Sequence, residues 1–328
     1  MKRGRFVSSS TLSSDFRSGF VALVGRPNAG KSTLLNALIG EKVAITSNTP
    51  QTTRHRLSGI LNLPDHDPPA QIVLVDTPGL HKPHDALGEE VNRSTLHAIS
   101  DVDAIAFLVD GSKPVGGGDA WIASLLERAD ADTKKLLVFT KLDLIDEGEL
   151  DAQASRAGAL GVFDATLALS AQAGAGLEAF VDTLVESLPE GPQWFPPDMT
   201  TDQSFEVMIA EFIREKVLLN TRDEVPHAVG VVVDTIEQDF EENSGDDDVS
   251  DAPTMSHIYA TIYVERESQK GIIIGKGGAM IKRIGTEARA DLETMLATPV
   301  YLDLKVKVKK DWRRDSAQIR RFGYGEGG

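Results

Sequence analysis

The sequence contains no cysteine and no long apolar run. With 0 cysteines among 328 residues, a disulfide framework and a zinc–thiolate site are excluded, and the composition is compatible with the cytosol. No apolar run reaches the roughly 18 residues that span a bilayer, so we expect no membrane-spanning helix. The N-terminus also lacks the apolar stretch of a signal peptide. We expect residues 1–18 to be a disordered lead.

Positive charge is scarce overall but concentrated at one end. The net charge is −16, which by itself argues against a nucleic-acid partner. Residues 257–328, however, carry 14 Lys and Arg against 9 Asp and Glu, and the remainder carries 20 against 41. This asymmetry indicates a nucleic-acid face on the C-terminal part.

Residues 25–33 match the phosphate-binding P-loop pattern G-x-x-x-x-G-K-[ST]. An apolar strand precedes the match and a helix follows it, which is the context that gives the motif its meaning. We expect Lys31 to reach the β- and γ-phosphates and the Ser32 hydroxyl to bind Mg²⁺. The predicted phosphate-binding residues are Gly25, Asn28, Ala29, Gly30, Lys31, Ser32 and Thr33.

A second phosphate-side motif follows the apolar strand that ends before Asp76. We expect the Asp76 carboxylate to bind Mg²⁺ and the Gly79 N–H to sense the γ-phosphate. A threonine from the polar segment 46–56 should complete the Mg²⁺ shell; we favour Thr53, with Thr52 as the alternative. That segment and residues 79–87 would be two nucleotide-dependent switches. The predicted catalytic residues are Lys31, Thr53 and Gly79.

The tetrapeptide Thr140-Lys141-Leu142-Asp143 matches the guanine-reading pattern [NT]-K-x-D. A carboxylate at position 143 accepts from the N1–H and the 2-amino group of guanine, and adenine lacks this donor pair. Lys141 would cover the base, and Ser170 and Ala171 at the end of the next strand would support it. The bound nucleotide is therefore predicted to be GTP or GDP.

The chain divides into two α/β domains. Strand-like and helix-like runs alternate over residues 19–188, which predicts a mostly parallel sheet with helices on both faces. A proline-rich linker over 189–203 separates this P-loop GTPase domain from residues 204–328. The acidic segment 237–253 is predicted to be a disordered hairpin insertion; its carboxylate spacing does not fit the alternative, a Ca²⁺ loop.

The C-terminal domain contains G-x-x-G at residues 275–278, before a predicted helix over 279–296. Such loops clamp single-stranded nucleic acid in KH domains. We expect the glycines to allow close backbone approach and Lys276 to meet phosphates. The predicted RNA-binding residues are Ile273, Gly275, Lys276, Gly277, Gly278, Lys282, Arg289, Lys307 and Lys309.

The motifs together resemble the Era family of ribosome-assembly GTPases over residues 19–324. The likeness rests on the P-loop, on Gln-Thr-Thr-Arg-His-Arg at 51–56, on Asp-Thr-Pro-Gly-Leu-His at 76–81, on the G-x-x-G helix and on residues 306–312. It implies a type II KH fold and binding to the 3′ end of small-subunit ribosomal RNA in the 30S subunit. It also implies peripheral contact with the inner face of the cell membrane. We expect a cytoplasmic monomer.

The chain departs from related GTPases at several positions. Thr140 replaces the usual asparagine, and the acidic insertion is long. Leu80 stands where Ras-like enzymes carry the glutamine that positions the attacking water, and His81 is a weak substitute. We therefore expect slow hydrolysis, with Asn28 binding a K⁺ ion beside the phosphates.

Two other functions fit parts of the sequence. A GTP-regulated membrane or signalling scaffold, whose KH-like domain binds protein, remains the main alternative. A metabolic P-loop kinase does not fit, because no second substrate site is evident and residues 140–143 read guanine.

Overall fold

The structure is a computed structural model that describes residues 15–47, 49, 52–53, 57–80, 86–145, 148–240 and 253–322. Several sequence-based expectations lie outside these ranges. They are the lead over residues 1–14, parts of the two predicted switches (48, 50–51, 54–56 and 81–85, which include His81) and residues 241–252 of the acidic segment.

The N-terminal unit is built on a six-stranded sheet with the order β2-β3-β1-β4-β5-β6. Strand β2 pairs antiparallel with β3, and the other neighbouring strands are parallel. Because β1 begins at Arg17, residues 17 and 18 belong to the sheet and not to the predicted lead. The strands are β1 (Arg17–Gly25), β2 (Leu57–Leu63), β3 (Ala70–Asp76), β4 (Ala104–Asp110), β5 (Lys134–Thr140) and β6 (Ala165–Ala168).

Helices cover both faces of this sheet, as the alternation predicts. Val21 and Leu23 of β1 pack into one core and the intervening Ala22 and Val24 pack into another, because successive strand residues point to opposite faces. Helices α1 (Lys31–Ile39) and α5 (Leu177–Ser187) cover the first face. Helices α2 (Ala86–Ser100), α3 (Gly117–Leu126) and α4 (Glu149–Gly158) cover the second.

The linker follows the surface of the N-terminal unit. The backbone of Glu190 forms an isolated antiparallel β-bridge with that of Arg17. The Gln71 side-chain oxygen accepts from the N–H of Trp194 at 2.8 Å. The carbonyl of Thr200 accepts from an N–H of β2 at 2.8 Å. These contacts fix most of the linker to the first sheet.

The main elements of the C-terminal unit follow in the order helix, short helix, strand, strand, helix, helix, strand, helix. Its sheet has the order β7-β8-β9, with β7 antiparallel and β9 parallel to β8. Strand β7 extends to Asp239, so residues 237–239 are paired strand and not part of a disordered insertion. The elements are α6 (Phe205–Asn220), α7 (Val225–Ala228), β7 (Gly230–Asp239), β8 (Met255–Val264), α8 (Glu267–Ile274), α9 (Ala279–Leu296), β9 (Val300–Val308) and α10 (Ser316–Arg321).

The two units share buried contacts. Ile45, which follows α1, is 4% exposed and packs into the core of the C-terminal unit. Leu87 of α2 packs in a cluster with Trp312 and Phe322 near the end of the chain. Among the helices in the described ranges, none combines the length and the apolar character needed to cross a bilayer.

Candidate nucleotide site and nucleic-acid groove

The P-loop connects β1 to α1 at the carboxyl edge of the sheet. A Cβ on Gly25 would lie 2.5 Å from the backbone oxygen of Leu108, so no larger residue fits beside β4. Gly30 and Asn28 have φ values of 91° and 64°, which turn the backbone into the left-handed region. This curled loop leads directly into the N-terminus of α1, which can receive an anion.

Lys31 is the buried cation of this loop. Its side-chain nitrogen donates to the carbonyl oxygens of Gly25 and Arg26, at 3.2 and 3.0 Å. Burial lowers the pKa of Lys31 to about 8, and the carboxylate of Asp76 opposes that shift. A bound triphosphate would supply the negative charge that a buried ammonium needs.

Three oxygen-bearing side chains meet beside Lys31. Ser32 Oγ donates to Asp76 Oδ2 at 2.6 Å and lies 2.9 Å from Thr53 Oγ1, and Thr53 Oγ1 lies 3.3 Å from the same carboxylate oxygen. Burial raises the pKa of Asp76, while Lys31 and the two hydroxyls oppose the rise. Asp76 Oδ1 is buried and accepts no hydrogen bond from the residues that the structure describes. This set of hard oxygen donors with an unused carboxylate oxygen fits Mg²⁺.

Thr53, and not Thr52, lies at this cluster. Thr52 Oγ1 donates instead to the carbonyl of Thr49 at 2.6 Å and lies 2.6 Å from Ser47 Oγ. The hydrogen bonds of the Thr52 hydroxyl are therefore made within its own loop and not with Ser32 or Asp76.

The backbone after Asp76 passes close to the P-loop. A Cβ on Gly79 would lie 2.7 Å from Pro27 Cα, so only glycine allows this approach. The N–H of Leu80 donates to the Gly25 carbonyl at 3.2 Å. The Leu80 side chain is 1% exposed and packs into the core, so it does not face the nucleotide cavity.

The predicted guanine-reading residues line a cavity of about 180 Å³ next to Gly30 and Thr33. Thr140 Oγ1 donates to the Ala29 carbonyl at 2.8 Å, which joins this segment to the P-loop. Ser170 Oγ donates to the carboxylate of Asp143, and Ala171 lines the same cavity. The structure thus brings all five predicted base-side residues together.

Asp110 is a site residue that sequence reasoning missed. It ends β4 and its Oδ2 lies 2.7 Å from the Lys141 ammonium. Burial opposes ionisation, but hydrogen bonds from Lys141 and Ser112 outweigh it and lower the pKa of Asp110. A carboxylate at the end of an apolar strand, like Asp76, is the signal that could have found it.

The G-x-x-G loop lies beside a groove of about 410 Å³ between α9 and β9. Gly277 and Gly278 have φ values of 60° and 82°, and a Cβ on either would meet nothing within 4 Å. Glycine at these two positions therefore allows the left-handed backbone conformation, and the space beside each Cα is open. The groove is lined by Lys282, Gly285, Arg289, Leu302 and Leu304 among others.

Two residues predicted to bind RNA lie elsewhere. Ile273 is 0% exposed and packs into the core, whereas its neighbour Ile272 is 50% exposed. Lys307 is exposed and alternates with Val306 and Val308, which pack against the core, so it lies on the opposite face of β9 from the groove. The side chains of Ile273 and Lys307 therefore do not line this groove, because helix and strand periodicity turn them away from it.

Comparisons with known proteins match both units. A protein-family model described as "50S ribosome-binding GTPase" matches residues 20–141, and one described as "KH domain" matches residues 224–313. GTPase Era of Mycolicibacterium smegmatis (strain ATCC 700084 / mc(2)155) is 44% identical over 311 residues, which are 94% of this chain and 99% of that protein. GTPase Era of Mycobacterium tuberculosis (strain ATCC 25618 / H37Rv) is 44% identical over 312 residues, with the same coverage.

Two solved structures are similar over nearly the whole chain. One is a point variant of Aquifex aeolicus Era bound to GDP and AlF4⁻. The other is Era in complex with MgGDPNP and nucleotides 1506–1542 of 16S ribosomal RNA. Each has a TM-score of 0.84 and 37% identity, and each match covers 94% of this chain and 99% of the other.

Proposed function

Since this chain belongs to the Era family of GTPases, we propose that it is a GTP-driven switch that binds the 3′ region of 16S rRNA through its KH domain during 30S maturation. The chain is a GTPase; its RNA target and the roles of its residues are the proposal. The observation that carries it is the open groove between β9 and α9, the helix that follows the G-x-x-G loop, in a chain similar to an Era that was crystallised with nucleotides 1506–1542 of 16S rRNA.

In this proposal the P-loop and Lys31 hold the β- and γ-phosphates. Ser32, Thr53 and Asp76 would hold Mg²⁺, which when bound supplies positive charge to the phosphate oxygens. Lys31 contributes a second positive charge in a site with little access to water, where such charges act more strongly. The Gly79 N–H reports the γ-phosphate, because its backbone passes directly beside the P-loop.

Water activation does not come from the side chain at position 80. Leu80 is packed in the core, so the glutamine mechanism of Ras-like enzymes is not open to this chain. We propose that Asn28, in the left-handed loop beside the phosphates, binds a K⁺ ion that supplies the missing charge. A higher GTPase rate in KCl than in NaCl at equal ionic strength is expected, and equal rates would remove this role.

Guanine selection is assigned to Asp143, which Ser170 orients. Lys141, paired with Asp110, would cover the base. The Thr140 hydroxyl donates to the Ala29 carbonyl and so joins this segment to the P-loop. This hydroxyl stands in place of the usual asparagine amide.

For RNA, we propose that the loop over residues 275–278 clamps the backbone and that bases lie on the groove of α9. Lys276, Lys282 and Arg289 would meet phosphates. Lys309, which follows β9, retains its proposed role.

The test is binding of a fluorescent RNA of the 1506–1542 sequence to the full chain with a GTP analogue or with GDP. Tight binding to this RNA over an unrelated RNA of equal length is expected. Each neutralised phosphate should steepen log K against log salt by roughly 0.7. Gly277→Asp should weaken binding, and Gly271→Asp, in a glycine of α8 outside the loop, is the matched control. A flat salt slope with equal binding of both RNAs would favour the protein-binding scaffold.

We also propose that the GTPase domain, whose first strand begins at Arg17, ends at residue 188, that 189–203 is the linker and 204–328 the KH domain, and that the protein is a monomer in the cytoplasm. Peripheral contact with the inner face of the cell membrane rests on the family resemblance. Sedimentation of the full chain with anionic lipid vesicles tests the contact, and analytical ultracentrifugation tests the monomer.

A further inference from the structure

Residues 42–47, 52 and 53 lie between the nucleotide cavity and the KH domain. Ile45, Thr46, Thr52 and Thr53 line the phosphate cavity. The side chain of Ile45 also packs into the KH core with residues of α6. The same short segment therefore lines the phosphate cavity of the GTPase domain and also packs against α6 of the KH domain.

Arg214 of α6 is the polar centre of this contact. It is 0% exposed, and its Nη2 donates to the carbonyl oxygen of Thr52. Its Nε donates to Glu211 Oε1 at 2.7 Å and its Nη2 donates to Glu211 Oε2 at 2.5 Å. Glu211 thus fixes the guanidinium plane, and the guanidinium is directed at one backbone oxygen of the first switch.

Further contacts hold the start of the same segment. The N–H of Thr46 donates to Glu215 Oε1 at 2.9 Å. The Lys42 ammonium lies 2.5 Å from both Glu215 Oε2 and Asp291 Oδ2, and 4.7 Å from the ring centroid of Phe212. Because these partners lie on α6 and α9, the KH domain contacts this part of the chain at Lys42, Thr46 and Thr52.

The contact at Thr52 bears directly on Thr53. A peptide unit is planar, so fixing the carbonyl oxygen of Thr52 also fixes the N–Cα bond of Thr53. One φ rotation and one χ1 rotation then separate this plane from the Thr53 hydroxyl, which lies 2.9 Å from Ser32 Oγ and 3.3 Å from Asp76 Oδ2.

Stability alone does not account for a charged pair at this place. Replacing a buried ion pair by apolar side chains of similar volume is often neutral or stabilising. Arg214 and Glu211 would therefore not be needed merely to join the two domains, which Ile45 already joins by apolar packing. An apolar side chain has no hydrogen-bond donor, so it cannot fix the orientation of a backbone carbonyl.

We propose that Arg214 of the KH domain is a positioning residue for GTP hydrolysis, which holds the Thr52 carbonyl so that the Thr53 hydroxyl is aimed at Ser32 and Asp76. The hydrolytic site is then complete only while α6 lies against the first switch. This inference rests on the proposed role of Thr53.

The test uses the full chain with three changes. Arg214→Met removes the donor, and Glu211→Leu with Arg214→Met also removes the carboxylate that accepts from Arg214. Arg17→Met is the matched control, because Arg17 likewise donates to a backbone carbonyl, that of Leu188 at 3.0 Å, away from the site. Three quantities are measured: the single-turnover GTP hydrolysis rate at saturating GTP, the affinity for GDP, and the amide hydrogen exchange of residues 42–53 in the nucleotide-free protein.

The loss of one charge-assisted hydrogen bond predicts a hydrolysis rate lower by roughly 10- to 100-fold in both Arg214 variants. GDP affinity should stay within about twofold, since Thr53 is assigned to the triphosphate state, and exchange at residues 42–53 should be faster. Arg17→Met should change none of these.

An unchanged rate, unchanged exchange, or a GDP affinity that falls as much as the rate would overturn the proposal. Thr53→Ala in the same assays separates the two assignments. If it lowers the rate and Arg214→Met does not, only the positioning role fails; if it does not lower the rate, the role of Thr53 fails.

Discussion

Asp143→Asn should convert the protein from guanine to xanthine recognition. The carboxylate of Asp143 lies in the cavity beside Gly30 and accepts a hydrogen bond from Ser170. In the wild type it is expected to accept from the N1–H and the 2-amino group of guanine. In Asp143→Asn, the amide NH₂ would face one of these donors, and two donors cannot pair.

The magnitude follows from counting the hydrogen bonds. Each bond to a charged acceptor contributes about 1.5–3 kcal/mol, and a donor left buried without a partner costs a similar amount. Losing one bond and leaving one donor unpaired together cost about 3–6 kcal/mol, or roughly 100- to 10 000-fold in affinity for GDP. Xanthine carries a carbonyl in place of the 2-amino group, so the new NH₂ gains an acceptor and XDP should bind more tightly than GDP.

The assay is displacement of a fluorescent nucleotide by GDP, XDP and IDP at fixed salt and Mg²⁺. IDP lacks the 2-amino group alone, so its affinity for the wild type isolates one of the two bonds. Asp151→Asn, at an exposed position in the first turn of α4, is the matched control and should bind all three as the wild type does. If Asp143→Asn kept the wild-type preference for GDP over XDP to within tenfold, the assignment of guanine recognition to this carboxylate would be refuted.

Three other changes test the described geometry. Hydrogen bonding to a backbone carbonyl and a neighbouring carboxylate raises the pKa of His66, so the stability that protonated His66 gives the fold is complete below its ordinary pKa and is lost as pH rises through the raised value. The melting temperature should therefore fall more between about pH 5.5 and 8.5 in the wild type than in His66→Gln. Equal falls in the two proteins would contradict this. Trp312→Ala removes a side chain that is 0% exposed and should lower the free energy of unfolding by about 3–5 kcal/mol in urea titrations, whereas Trp194→Ala, at 52% exposed, should cost far less. Gly79→Ala places a Cβ 2.7 Å from Pro27 Cα and should weaken binding of a GTP analogue by roughly tenfold with little effect on GDP; unchanged analogue affinity would show that this approach does not matter.

Most of the nucleotide site could be predicted because its residues stand at fixed positions relative to strand ends. Gly25, Asp76 and Thr140 each end a parallel strand, and parallel strands bring their carboxyl ends to one edge. The contact of Thr53 with Ser32 needed the structure, because Thr52 and Thr53 are chemically the same and only backbone direction separates them.

The groove between α9 and β9 shows where sequence patterns become insufficient. Ile272 and Ile273 are identical residues on a short helix, and a rotation of about 100° per residue exposes one and buries the other. Lys307 looks basic and accessible in sequence, yet the alternation of β9 turns it away from the groove. The contact between Arg214 and Thr52 joins residues 162 positions apart, and nothing local to either residue indicates it.

Two residues, Gln203 and Ser204, separate the contact that Asp202 makes with the GTPase domain from helix α6. Asp202 accepts from the N–H of Ser58 at 3.2 Å, and α6 begins at Phe205. A tether this short holds α6 near the first switch at an effective concentration in the millimolar range or above. A KH domain displaced from this contact would therefore rebind its own GTPase domain in preference to a separate copy. Freely mixed fragments of the two domains would lack this advantage.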